Sequence, residues 1–261
     1  MTRHAARASG GHETINAAWR GGILELMQHA RQTVMPLINP TCIARIFAPA
    51  GLALAFCFPA PAATVDDAGW ALVANRNGIE VYARSLPGSP VEEVRATTEI
   101  AAPPARVFAI LLDSDRFVEF MPYIIEVRTV ARDSAAVWYL YQRLSPPFVS
   151  DRDYTLRHQS FEEPLRSRYE LRWEAANEHG PPPRDGVVRV EICTGSYLVE
   201  GLDGGTRARL TYQLHTDPGG ALPKWLANRA NVESVPALLQ AIAHRAVDPG
   251  WQRAKVESTG R

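Results

Sequence analysis

The chain has 261 residues, 28 Lys and Arg against 28 Asp and Glu, and 46% hydrophobic residues, which is ordinary for one or two globular domains. A formal net charge of zero removes any global pull toward nucleic acid or an anionic membrane surface. No long run of like charge and no basic–aromatic alternation is present, so nucleic-acid binding is not expected.

Residues 1–34 carry no pattern and are read as a mis-called or disordered extension, with Met27 or Met35 as the true start. Residues 35–62 read as a secretory signal peptide. Arg45 precedes the apolar run Ile46 to Phe58, and Ala60-Pro61-Ala62 supplies a small-x-small cleavage site. The run is shorter than the ~20 residues of a spanning helix, and Pro49 and Gly51 interrupt it. Two alternatives are a buried helix of the main domain and a lipid anchor at Cys57, although Phe56 stands where an anchor motif wants a small residue. The expectation is an exported, periplasmic protein cleaved near Ala62. Cys42 and Cys57 then leave with the leader, so Cys193 is alone, unable to form an internal disulfide, and is read as a small buried hydrophobe.

Residues 63–261 read as a single domain. "DDAGWALVAN" (66–75) is expected to be a short helix capped by Asp66 or Asp67, with Trp70, Leu72 and Val73 as packing residues. "GIEVYAR" alternates with Ile79, Val81 and Ala83 on one face, and "VEEVRATTEI" continues as a second strand. "APPARVFAILLDSDRFVEFMP" reads as a helix opened by Pro103 and Pro104, with Val107, Phe108, Leu111 and Leu112 as its apolar stripe. Period-two segments follow at 125–130, 136–144, 149–158, 165–173, 187–199 and 207–215. The chain closes on a long amphipathic helix carrying Leu222, Trp225, Leu226, Ala230, Val235, Leu238, Leu239 and Ile242, with Pro236 expected to kink or split it. This order implies an α+β fold, a curved antiparallel sheet with a helix across its open face. Such a sheet encloses a concave, mostly apolar pocket.

Three stretches resemble the START domain, the lipid-transfer domain of the helix-grip superfamily: "PPFVSDRDYTLRH" (146–158), "GSYLVE" (195–200) and "HTDPGGALPKWLANRANVESVPALL" (215–239). The resemblance runs from about Trp70 to Ala246. It implies a helix-grip fold whose internal tunnel holds one lipid or other apolar molecule, closed by the C-terminal helix and an adjacent loop. It also implies a carrier or sensor that touches membranes transiently, here expected to be a monomer without cofactor or metal. Ligand identity does not transfer, because sterol, phospholipid, sphingolipid and polyketide binders share this frame.

Strand alternation sorts the charges of "SDRDYTLRH". Arg152, Tyr154, Leu156 and His158 share a face with the apolar residues and are expected to line the cavity. Asp151, Asp153, Thr155 and Arg157 share the other, expected to be solvated or helix-facing. Arg152 and Asp153 match the family's Arg-Asp pair, which either anchors neighbouring strands as a structural ion pair or meets ligand. Several family members carry an Arg six positions further on. His158 stands there here, able to bind a hydroxyl or carbonyl when neutral or to charge as pH falls.

Further cavity candidates are Tyr139, Tyr141, Gln142, Trp173, Arg189, Tyr197, Tyr212 and Trp225, each equally consistent with core packing, and Trp225 with Leu226 is the expected lid. No Gly-x-Ser-x-Gly elbow and no metal-spaced His pair occurs. Ser150, Asp153 and His158 form a triad only on paper, since parity separates Asp153 from His158. A helix-grip cyclase or hydrolase is the alternative to a carrier.

Overall fold

The computed structural model describes residue 66 and residues 68–251. The leader read over 35–62 and the extension before it lie outside the described residues. Ten strands form one sheet: β1 (Ala71–Arg76), β2 (Ile79–Arg84), β3 (Glu93–Ile100), β4 (Ile124–Arg132), β5 (Val137–Leu144), β6 (Arg152–Glu163), β7 (Arg168–Ala175), β8 (Val188–Arg189), β9 (Ile192–Leu202) and β10 (Arg207–Asp217). Helix α1 (Pro104–Leu112) sits between β3 and β4, and α2 (Lys224–Val247) closes the chain. The sheet order is β1-β2-β3-β10-β9-β7-β6-β5-β4, antiparallel throughout except that β8 pairs parallel with β6. Sequential hairpins build each wing, and the β3–β10 pairing joins them, so the sheet wraps around the two helices as a helix-grip fold.

Local chemistry accounts for most elements and for the departures. Ile79, Val81 and Ala83 are buried on one face of β2, as alternation requires. The expected helix at 66–75 is not formed. Asp66 instead closes a turn, its Oδ1 accepting from the N–H groups of Ala68 and Trp70 at 2.9 Å each. Gly69 takes a positive φ of 81°, and β1 begins at Ala71. Trp70 is the reason: it is buried, with the guanidinium carbons of Arg84 and Arg95 each 4.4 Å from its ring centroid. Tertiary packing thus outweighs a weak local helix signal.

The second expected helix ends early. Pro104 occupies the first turn of α1, but Asp113 (φ −87°, ψ 49°) breaks it and a 3₁₀ segment, Ser114–Glu119, follows. Residues 187–199 divide into β8 and β9, whereas the closing helix runs unbroken through Pro236. One face of α2, with Ala227, Asn231, Val235, Leu239, Ile242 and Ala246, is buried in the core. Asn231 Nδ2 donates to the Thr216 carbonyl at 3.0 Å, and Arg106 donates to the carbonyls of Ala246 (2.6 Å) and Asp248 (2.5 Å), capping the helix C-terminus.

Candidate functional site

A cavity of about 810 Å³ lies between the concave face of the sheet and the N-terminal half of α2. Strand β6 supplies its spine, with Arg152, Tyr154, Leu156 and His158 all lining it. Gln142 and Leu144 of β5, Trp173 of β7, Cys193 and Tyr197 of β9, and Tyr212, Leu214 and Thr216 of β10 extend the wall. From α2 come Trp225, Leu226, Ala230, Ser234 and Leu238, a stripe whose small members Ala230 and Ser234 leave room beneath the helix. The cavity reaches the surface between the loop Pro146–Val149 and the start of α2, where Phe148 and Trp225 are 60% and 64% exposed.

The inner wall is aromatic and polar but uncharged. His158 is buried, stacked on Trp138 at 5.3 Å with ring planes 10° apart, and Trp173 lies 6.2 Å away. Burial pushes its pKa down to about 4, opposed only by the Leu156 carbonyl, so the imidazole is neutral at physiological pH. Its Nδ1 is buried without a hydrogen-bond partner. Tyr154, Tyr197 and Tyr212 are held well above the usual phenol range by burial, and the Cys193 thiol is pushed up to about 11. These groups can exchange hydrogen bonds with a ligand without carrying charge. The short residue in "TGSYLVE" explains how Trp173 lies flat. A Cβ on Gly195 would stand 2.4 Å from Trp173 Cζ2 and from the Gln213 carbonyl oxygen.

Arg152 is different. It is 6% exposed, faces the cavity and hydrogen-bonds through Nη1 to the Ser150 carbonyl. Burial lowers its pKa, against the attraction of nearby Asp151. The expected Arg152–Asp153 ion pair is not formed. Asp153, fully buried on the opposite face of β6, pairs with Arg189, whose Nε and Nη2 donate to its two oxygens at 2.7 and 3.2 Å. Tyr141 donates to Asp153 Oδ2 at 3.1 Å, and Arg189 Nη2 also reaches the Pro181 carbonyl at 3.0 Å.

On the outer face of β6, Asp151 and Arg157 are partly exposed as expected, but Asp153 and Thr155 are buried. The strap between β7 and β9 covers them: Thr155 N–H donates to Asn177 Oδ1 at 2.9 Å, and Gly180 must be glycine because a Cβ would fall 1.8 Å from Thr155 Oγ1. Arg189 and Tyr141 belong to this structural network and do not reach the cavity. Tyr139 is also outside the lining, donating to Asp133 at 3.0 Å and stacking on His179 at 4.0 Å.

Arg152, Tyr154, His158, Gln142, Trp173, Tyr197, Tyr212, Trp225 and Leu226 thus come together around one space. Parity could have excluded Tyr139, an odd position on the strand where Gln142 faces inward. The same alternation would have found Cys193 beside Tyr197, and Leu214 and Thr216 beside Tyr212. The i, i+4 stripe Leu226, Ala230, Ser234, Leu238 was likewise legible. Phe117 and Met121, in and just after the 3₁₀ segment, also line the cavity and had no local signal.

Comparison with known proteins agrees with this architecture. A STAR-related lipid transfer protein of Xanthomonas axonopodis, solved as fragment 25–204, superposes with a TM-score of 0.62 at 30% identity, covering 68% of this chain and 98% of its own. Human STARD10 superposes with the same TM-score at 20% identity, covering 69% of this chain and 74% of its own, a likeness of fold. The mouse phosphatidylcholine transfer protein is 27% identical over 184 residues, 69% of this chain and 84% of that protein. Residues 60–246 match the START domain, and the chain belongs to that family.

Proposed function

We propose that the protein binds one lipid or lipid-like molecule in this cavity and carries it between membranes. The observation that carries the reading is the enclosed space of about 810 Å³, apolar in bulk with a few convergent polar groups, inside a START domain. The name of the mouse relative, a phosphatidylcholine transfer protein, supports the same class of cargo. Each methylene moved from water into such a space contributes about 0.8 kcal/mol, so a long-chain ligand is held against solvent yet returns to a bilayer that offers equal burial. Loading and release then require movement at the mouth, where the Pro146–Val149 loop meets α2. A carrier fits the site better than an enzyme. Burial holds His158, with a pKa of about 4, and the Cys193 thiol, at about 11, neutral at physiological pH, which suits hydrogen bonding to a bound molecule.

Native mass spectrometry of the protein purified from a membrane-containing extract tests the reading. The expected result is one lipid per chain. A protein that arrives empty and takes up nothing from a panel of sterols, fatty acids and phospholipids refutes it.

A further inference from the structure

We propose that the ligand is a single-chain anionic amphiphile, a long-chain carboxylate or phosphate monoester, with its head on Arg152 and its chain directed inward along β6. This deepens the lipid-carrier reading and rests on it.

Charge is the first argument. Arg152 is the one formally charged side chain among the described residues lining the cavity, and it is 6% exposed. Both flanking acids are committed elsewhere: Asp151 to Arg143 at 3.2 Å and Asp153 to Arg189 at 2.7 Å. Among the described residues no carboxylate oxygen lies within 4.0 Å of Arg152, whose hydrogen bond goes to the Ser150 carbonyl. A buried guanidinium with no carboxylate in direct contact is costly despite the more distant attraction of Asp151, and an anionic head group entering the cavity supplies a partner in the bidentate geometry that guanidinium favours.

Position is the second. Arg152 opens β6, next to the mouth loop through Ser150, and the place of a Cβ on Gly220, in the loop before α2, is 4.0 Å from its Nη2. His158 lies six residues along the same strand face, about 20 Å away at 3.3–3.4 Å per residue. The charge is thus at the mouth end and the inner end is neutral and aromatic. That places the head near Arg152 and the chain past Tyr154 and Leu156 toward Trp173.

Volume is the third. A cavity of about 810 Å³ lies toward the upper end of the roughly 300–1,000 Å³ of ordinary ligand pockets, with room for one long chain. A long-chain fatty acid, with about 20 non-hydrogen atoms, or a single-chain phosphate monoester, with about 30, can lie in that space with its head at the mouth.

The test is a titration of delipidated protein, read by quenching of tryptophan emission and by native mass spectrometry. The probes are oleate, oleoyl-lysophosphatidate, oleyl alcohol and vesicles of dioleoylphosphatidylcholine. Oleate or lysophosphatidate is expected to bind roughly 10- to 100-fold more tightly than oleyl alcohol, the range of a charge-assisted hydrogen-bonded pair. The stronger of the two anions separates a carboxylate from a phosphate source. Arg152→Met is expected to bring acid and alcohol within about threefold, and Arg152→Lys to retain part of the preference. Should Arg152→Met fail to fold, the acid-to-alcohol ratio of the unaltered protein decides alone. Equal binding of the alcohol and both acids, or stoichiometric loading with the diacyl lipid, overturns this inference while leaving the lipid carrier standing. Uptake of no probe at all, in the panel above or here, defeats the carrier reading itself.

Discussion

His158 shows how one side chain couples the cavity to solution conditions. It is buried against Trp138 and Trp173, with Nδ1 unpaired and its pKa depressed to about 4. An unfolded histidine titrates near 6.5, so between about pH 6.5 and 4 the unfolded chain binds a proton that the folded chain does not. Stability therefore falls as pH drops through that window, by as much as ~3 kcal/mol, and levels off below it. In His158→Phe, which keeps the aromatic stack, denaturant midpoints measured from pH 7 to pH 4.5 are expected to lose this slope. Parallel slopes for the two proteins would mean that His158 is solvated in the folded state. Asp153 illustrates the opposite solution to burial. Arg189 and Tyr141 satisfy both its oxygens, which locks the strap over β6.

Among the elements, α2 has two faces with different tasks. Its core face fastens to β10 through Asn231 and is capped at the C-terminus by Arg106, while Leu226, Ala230 and Ser234 roof the cavity. Pro236 stands between the roofing half and the half buried by Leu239, Ile242 and Ala246. Lacking an N–H, it cannot bond the Val232 carbonyl, so the two halves are less firmly coupled than in a regular helix. We predict that Pro236→Ala slows both amide hydrogen exchange over residues 224–235 and the release of a fluorescent lipid to vesicles. Slower exchange with unchanged release would place the opening motion in the Pro146–Val149 loop instead.

For the whole molecule, the two exposed aromatics at the mouth are the surface most suited to meet a bilayer. Phe148 is also strained, a bulky residue at φ +67°, a conformation that costs ~1–2 kcal/mol for an L side chain. Ordinary stability offers no reason to keep it. Replacement by glycine relieves the strain and removes a ring whose burial in lipid is worth about 1.5–3 kcal/mol. Phe148→Gly is therefore expected to melt no lower than the unaltered protein while binding vesicles roughly tenfold or more weakly by co-sedimentation. Unchanged vesicle binding would exclude this loop from membrane contact.

The residues by themselves determined β2, β3, the start of α1, most of the later strands, the closing helix and the inward set Arg152, Tyr154 and His158. Each of these follows from periodicity, which every two or four residues repeats the same physical demand for burial. Helix formation at 66–75 was misjudged because Trp70 is fixed by Arg84 and Arg95, residues distant in the chain. The partner of Asp153 was misassigned for the same reason: local sequence offers Arg152 next door, but adjacent strand residues point to opposite faces. Only folding brings Arg189 across on the parallel strand β8. Whether the sheet encloses space or fills it, and that Arg152 is left facing that space with no carboxylate in direct contact, are outcomes of packing between elements. Long-range contacts decide them, and no local pattern encodes those contacts.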